Sequence, residues 1–303
     1  MVTPDPGSSP ALRSLEGVRC CHQAVGRFKM HYLEAGQGDV VVMVHGNPSW
    51  CYTYRYLIDR LKRRYRVVVP DHLGCGYSDR PTADEYGFRM ADRIEDLENF
   101  LEGLGLTRNL TLILHDWGGP IGLGYAVRHP ERVARLVLLN TAAFQLPGGT
   151  SLPGVLSFLR SSPLAPILVQ GFGAFSRLAV RRGVRSPLSS EVRRGYLEPY
   201  DSWHHRLAIM KFIRDIPLRP TDPSWAAMEQ VSEGLEKLRD KPCLICWGEK
   251  DPVFVNSFVD EWRRRLPGAE IHTLPQAGHY VLEDAPEPIA DLVLGFLHRR
   301  SLY

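Results

Sequence analysis

The run Val40-Val41-Val42-Met43-Val44 has no charged or hydrogen-bonding side chain, so neither of its faces suits water. Four of its five residues are β-branched, which marks a strand buried on both faces, the kind found where helices cover a sheet from either side. Comparable runs recur at Arg66 to Val69, Leu110 to Leu114, Val133 to Leu139, Cys243 to Trp247 and Glu270 to Leu274. Segments with helical spacing lie between most of them, at Tyr54 to Leu61, Met90 to Leu104 and Ile121 to Arg128. This alternation predicts an α/β fold with a mostly parallel central sheet and helices on both faces. Two shorter strand patterns occupy residues 17 to 35, the second from Phe28 to Leu33. A chain of 303 residues is long enough to bury one large core of this type.

From Phe144 to Glu236 the rhythm stops. This stretch carries only helix-like pieces separated by Pro and Gly, rich in Leu, Phe, Trp and Tyr. A helical insertion between two sheet strands reads as a cap over the strands' carboxyl ends, the side on which open α/β sheets bind ligands. The expected layout is a loose N-terminal tail at 1–16, a core at 17–143, the cap at 144–236 and the rest of the core at 237–303.

Several classes are set aside by composition. A net charge of +3 implies neither nucleic acid nor a strongly acidic partner. Met1 to Ser14 is rich in Pro, Ser and Gly without an apolar centre, unlike a signal peptide. The most apolar long stretch, Leu152 to Leu178, is interrupted by Arg160, Pro163 and Pro166, so no transmembrane segment is expected. The six cysteines are scattered, and four lie beside or inside predicted strands, which favours a reducing, cytoplasmic setting. Cys243-x-x-Cys246 sits inside an apolar strand pattern and reads as core. His204-His205 lacks further ligands at metal spacing, and Gly74-Cys75-Gly76 lacks the third glycine of a dinucleotide fingerprint, so neither metal nor organic cofactor is expected.

Three predicted strand ends carry reactive residues. Leu110 to Leu114 runs straight into His115-Asp116-Trp117-Gly118-Gly119, with a helix expected from near Pro120. Strand, sharp turn and helix, with small residues at the tight positions, form a nucleophile elbow, here holding Asp in place of Ser. An aspartate kept ionised by backbone N–H groups and a helix N-terminus can attack carbon directly. A simple helix N-cap is the bland reading of Asp116. Two further residues argue against it: Asp251 follows the strand ending at Trp247, and His279 follows the last strand. Nucleophile, acid and histidine occur in the order this fold requires. His279 is then the base that activates water against a covalent ester, and Asp251 orients it. His45-Gly46-Asn47-Pro48, after the Val40 to Val44 strand, adds the Asn47 amide, and Trp117 adds an indole N–H. Two neutral donors converging on one point suit a departing anion.

These motifs, together with Asp71-His72-Leu73-Gly74-Cys75-Gly76-Tyr77-Ser78-Asp79 and Gly278-His279-Tyr280, resemble the haloalkane dehalogenase family of α/β-hydrolases from about residue 27 to the C-terminus. Asp251, Asn47 and Trp117 fit the branch whose acid follows the penultimate strand. The other acid position in the family, at the end of Val133 to Leu139, holds Asn140. Asn140 to Phe144, Pro199 to Trp203 and Phe212 to Pro217 are similar to the β-lactone decarboxylases of bacterial olefin biosynthesis. That resemblance implies conversion of a cis-dialkyl β-lactone to a cis-alkene and carbon dioxide, and assembly with sister hydrocarbon-pathway enzymes. One departure is Leu114, where serine hydrolases carry glycine.

The apolar cap suits a small hydrophobic, long-chain substrate, with Trp50, Phe144, Phe172, Phe175 and Tyr280 expected around it. Haloalkane hydrolysis to alcohol and halide is the alternative. Epoxide hydrolysis would need tyrosine donors, formally Tyr196 and Tyr200. A non-catalytic binding protein of the same fold is the remaining class.

Overall fold

The computed structural model describes residues 9–302. Eight strands form one sheet: β1 (Arg19–Val25), β2 (Phe28–Ala35), β3 (Val40–Val44), β4 (Arg66–Pro70), β5 (Leu110–His115), β6 (Val133–Leu139), β7 (Cys243–Gly248) and β8 (Glu270–Leu274). Their order is β1-β2-β4-β3-β5-β6-β7-β8. β1 and β2 pair antiparallel, as do β2 and β4, and every later pair is parallel. The chain leaves β3 toward one edge for β4 and returns on the other side of β3 for β5. The gap between the carboxyl ends of β3 and β5 is therefore the point where the winding reverses, which is where such sheets bind ligands.

Both faces of the sheet are dry along its central strands, whereas the edge strands β1 and β8 are partly exposed. Val42, Val44, Leu112 and Leu114 point into one core with α3 (Met90–Gly103), α4 (Gly118–Arg128) and α10 (Asn256–Arg265). Val41, Met43 and Ile113 point into the other with α2 (Arg55–Leu61) and α12 (Pro286–Arg299). The runs of the central strands are thus read correctly as two-sided burial, each buried side chain contributing about 1.5–3 kcal/mol, whereas Glu270–Leu274, expected to be comparable, is half-exposed because β8 is the sheet's edge. Cys243 and Cys246 fall in opposite cores, both as free thiols, and burial raises both pKa values. Such a pair packs; it does not form a redox couple.

Between β6 and β7 the chain carries helices joined by loops and no strand: α5 (Gly154–Ser161), α6 (Ala174–Arg182), α7 (Ser190–Leu197), α8 (Leu207–Arg214) and α9 (Trp225–Gly234). α9 packs on α3 and α4 of the core. The described part of the N-terminal segment is docked rather than loose. α1 (Pro10–Arg13) is capped by the Ser9 hydroxyl, Leu12 is buried, and Glu198 of the inserted segment accepts from Ser9 and the Ala11 N–H. Residues 1–8 of the expected tail lie outside the described residues. No helix among the described residues is long and apolar enough to cross a membrane.

Candidate active site

Asp116 sits where β5 turns into α4, with φ of 51°. A non-glycine residue in this left-handed region is strained, and such strain concentrates at functional turns. The turn is possible because glycines follow. A Cβ on Gly118 would lie 1.9 Å from the Val44 carbonyl oxygen, and one on Gly119 would lie 1.7 Å from Thr141 Oγ1. α4 begins at Gly118, two residues before the expected start, because those glycines let the helix close directly on the strand. The Leu114 departure has a partner: a Cβ on Gly122 would lie 2.3 Å from Leu114 Cδ2, so a glycine one turn into α4 accommodates the larger side chain.

The three expected residues converge. His279 Nδ1 lies 2.9 Å from Asp251 Oδ2, and His279 Nε2 lies 3.7 Å from Asp116 Oδ2. The other Asp116 oxygen accepts from the Asn47 backbone N–H at 2.7 Å. Burial pushes the Asp116 carboxyl upward, opposed by the His279 charge and by the backbone N–H groups of Asn47 and Trp117. Burial alone would lower His279, but Asp251 and then Asp116 reverse this and hold it at about 9. The result is a carboxylate and an imidazolium that sustain each other in a dry site.

Asn140 is the residue the sequence reading undervalued. From the end of β6 its amide donates to Asp251 Oδ2 at 2.9 Å and to the Gly248 carbonyl at 3.0 Å, while its oxygen accepts from the Gly248 N–H at 2.8 Å. Val253 N–H holds the remaining Asp251 oxygen at 2.7 Å. Thr141 donates to the Asp116 carbonyl, and His115, neutral because burial lowers it to about 3, bonds the His279 carbonyl. Its place at a strand end beside β7 was the available signal for Asn140. Recognising it needs the β6–β7 pairing.

A cavity of about 640 Å³ opens above Asp116, with Asn47, Trp117, His279 and Tyr280 at its walls. The Asn47 side-chain N–H₂ gives one hydrogen to the Ile209 carbonyl at 3.3 Å, which orients the amide and leaves its second hydrogen. The Trp117 ring packs against Phe212 at 5.3 Å between centroids. Phe144 and Phe175 line the cavity as expected. Two pocket expectations are corrected. Trp50 is fully buried outside the cavity and donates to the Gly195 carbonyl, and Phe172 is 67% exposed on the outer surface. Their apolar character is spent on packing under α7 and on an outward-facing turn. Tyr196 and Tyr200 are also away from the cavity, their hydroxyls engaged by Glu283 and the Ser49 carbonyl. The two tyrosines that the sequence offered as epoxide donors are therefore not at the cavity. The one group of possible metal ligands among the described residues, His31, Cys51 and Asp71, is a loop staple. Asp71 accepts from Cys51 N–H, Tyr77 N–H and His31, and His31 helps hold it down to about 2 against its burial.

An alpha/beta hydrolase fold profile matches residues 39–286. A cis-3-alkyl-4-alkyloxetan-2-one decarboxylase of Shewanella oneidensis is 45% identical over 270 residues, covering 89% of this chain and 85% of that one. A haloalkane dehalogenase 2 of Mycobacterium bovis is 30% identical over 269 residues, covering 88% and 91%. Among solved structures, the haloalkane dehalogenase DatA of Agrobacterium tumefaciens superposes with a TM-score of 0.86 at 26% identity, over 94% of this chain and 98% of that one.

Proposed function

The chain belongs to the alpha/beta hydrolase family, and from that premise we propose that it converts cis-3-alkyl-4-alkyloxetan-2-ones to cis-alkenes and carbon dioxide. The observation that carries the reading is the 45% identity to a protein of that name, against 30% and 33% to dehalogenases. The apolar cavity standing on Asp116 supports it.

In this reading an Asp116 oxygen attacks the ring carbon that bears the ring oxygen. That C–O bond breaks, and its electron pair leaves on what becomes a free carboxylate beneath Asn47 and Trp117. Attack from behind inverts the carbon and sets the new ester anti to the carboxylate. Carbon dioxide then departs, its bonding pair forms the double bond, and the ester's C–O pair returns to Asp116. Inversion followed by anti elimination leaves the two alkyl chains cis with no rotation. No water, proton or redox partner enters the balance. Attack at the carbonyl would instead release an alkoxide and leave a mixed anhydride with Asp116, with no direct loss of carbon dioxide. His279 serves here as a cation that keeps Asp116 ionised, with Asp251 holding its ring. Hydrolysis of a haloalkane would need the same imidazole as a base.

The resemblance extends the reading to a cytoplasmic setting, supported by four buried free cysteines, and to assembly with sister hydrocarbon-pathway enzymes. The test is alkene release from a long-chain cis-dialkyl β-lactone, followed by gas chromatography in ¹⁸O-water with Asp116→Asn as control. Alkene lost in the variant, with no ¹⁸O in the wild-type Asp116 peptide, supports the proposal. Bromide released from a 1-bromoalkane, label in that peptide and no alkene would replace it with dehalogenation.

A further inference from the structure

We propose that the outer face of the inserted helical segment docks on an anionic lipid surface, with the mouth of the cavity opening onto that surface. Nine large apolar side chains are exposed among the described residues, and seven of them lie between 155 and 203. A concentration of this kind on one region marks an interaction face. Val155 is 49% exposed and Leu178 38% exposed, yet both line the cavity, so they stand at its mouth. Phe158 follows Val155 by one turn of α5 and shares its face. Trp203 lies over Gly171 beside Ile167, which extends the apolar surface past the start of α6.

Charge selects the occupant. Residues 144–214 hold ten Lys and Arg against three Asp and Glu, leaving 27 against 31 for the remainder of the chain. Arg177, Arg181, Arg182 and Arg185 are exposed, and none of them forms a salt bridge among the described residues. Arg181 and Arg182 follow Leu178 by one turn, and Arg182 and Arg185 line the cavity mouth. Of the three acids, Glu198 is engaged by Tyr77 and Asp201 by His205, so Glu191 is the one without a side-chain partner among the described residues. Exposed aromatic and aliphatic side chains interspersed with exposed arginines along one segment fit the boundary between acyl chains and anionic headgroups. A long-chain substrate could then pass from the bilayer to Asp116 without crossing water. The inference needs only an apolar substrate, whatever its reactive group.

The experiment is flotation of the full-length protein with phosphatidylcholine vesicles, with or without phosphatidylglycerol, at low and high salt. Binding to the anionic vesicles, weakened by salt, is expected. Phe158→Ser/Phe172→Ser/Trp203→Ser and, separately, Arg177→Glu/Arg181→Glu should each lower partitioning about tenfold or more. None of these residues lines the cavity, so turnover of a detergent-dispersed substrate should be retained and reports that the variants are folded. Failure to float with anionic vesicles overturns the proposal, as does equal flotation of wild type and both variants. A wild-type dimer that becomes monomeric in the serine variant, without vesicle binding, would assign the face to a second copy instead.

Discussion

Asp116 and His279 hold each other in their charged states, and the pH response follows from the directions of their shifts. Burial raises the carboxyl above its ordinary range, so acid removes the proposed nucleophile earlier than for an exposed aspartate. At the other end, His279 keeps its proton up to about 9, and losing it takes away the cation that opposes the burial penalty on Asp116. The kcat/KM for a β-lactone should therefore rise as Asp116 ionises and fall as pH passes through about 9. Rates measured from pH 4 to 10 test this, and a profile that keeps rising above 9 would make neutral His279 a base. Asn140 gives a second prediction. Asn140→Ala removes a donor from buried Asp251 and leaves the Gly248 N–H without its acceptor, a loss of about 1–3 kcal/mol. Denaturant unfolding should show that loss, with kcat reduced because the His279 ring is less firmly held. Asp116, Asp251 and His279 were legible because each stands only a few residues past a strand pattern. Asn140 was visible only as an acid position lacking its acid, since its partners are on a strand over a hundred residues away.

The β5–α4 turn shows what an element demands beyond its catalytic residue. Asp116 is held at positive φ while the helix passes within contact distance of the β3 carbonyls and Thr141, so the two glycines are geometric necessities. Gly118→Ala would drive a methyl into the Val44 carbonyl, a backbone group that cannot move aside. A destabilisation of about 2–4 kcal/mol is expected, read as a lower unfolding midpoint with activity lost in proportion. A neutral Gly118→Ala variant would mean that the helix can move away from the Val44 carbonyl at little cost. Strands were the easiest elements to read, because a five-residue run buried on both faces has few other interpretations. Features set by distant contacts were harder. Leu12 docks because Glu198, nearly two hundred residues on, reaches Ser9 and Ala11. Trp50 and Phe172 were misplaced for the same reason: an aromatic residue near a site can line it, pack behind it or face outward, and local sequence does not distinguish these.

For the whole molecule, a near-neutral total conceals two regions of opposite charge, one of which carries most of the exposed apolar side chains. The cavity continues that apolar character inward, with Leu152, Leu156, Phe175, Ile213 and Met228 among its walls, while Asp116 and His279 stand at its base and Arg182, Arg185 and Lys250 are its other charged lining residues. A substrate is then gripped along its alkyl chains, while the reacting ring is held by few polar contacts. Each methylene that enters contributes about 0.8 kcal/mol, or roughly fourfold in affinity. Because the chains are bound before and during ring opening alike, this gain should appear in KM and leave kcat nearly constant. A homologous series of cis-dialkyl β-lactones should show KM falling about fourfold per added methylene until the chain reaches the mouth between Val155 and Leu178. Beyond that length the dependence should flatten in detergent. A kcat that climbs with chain length would mean that the chains also align the ring for attack, and a length-independent KM would remove the cavity from substrate recognition.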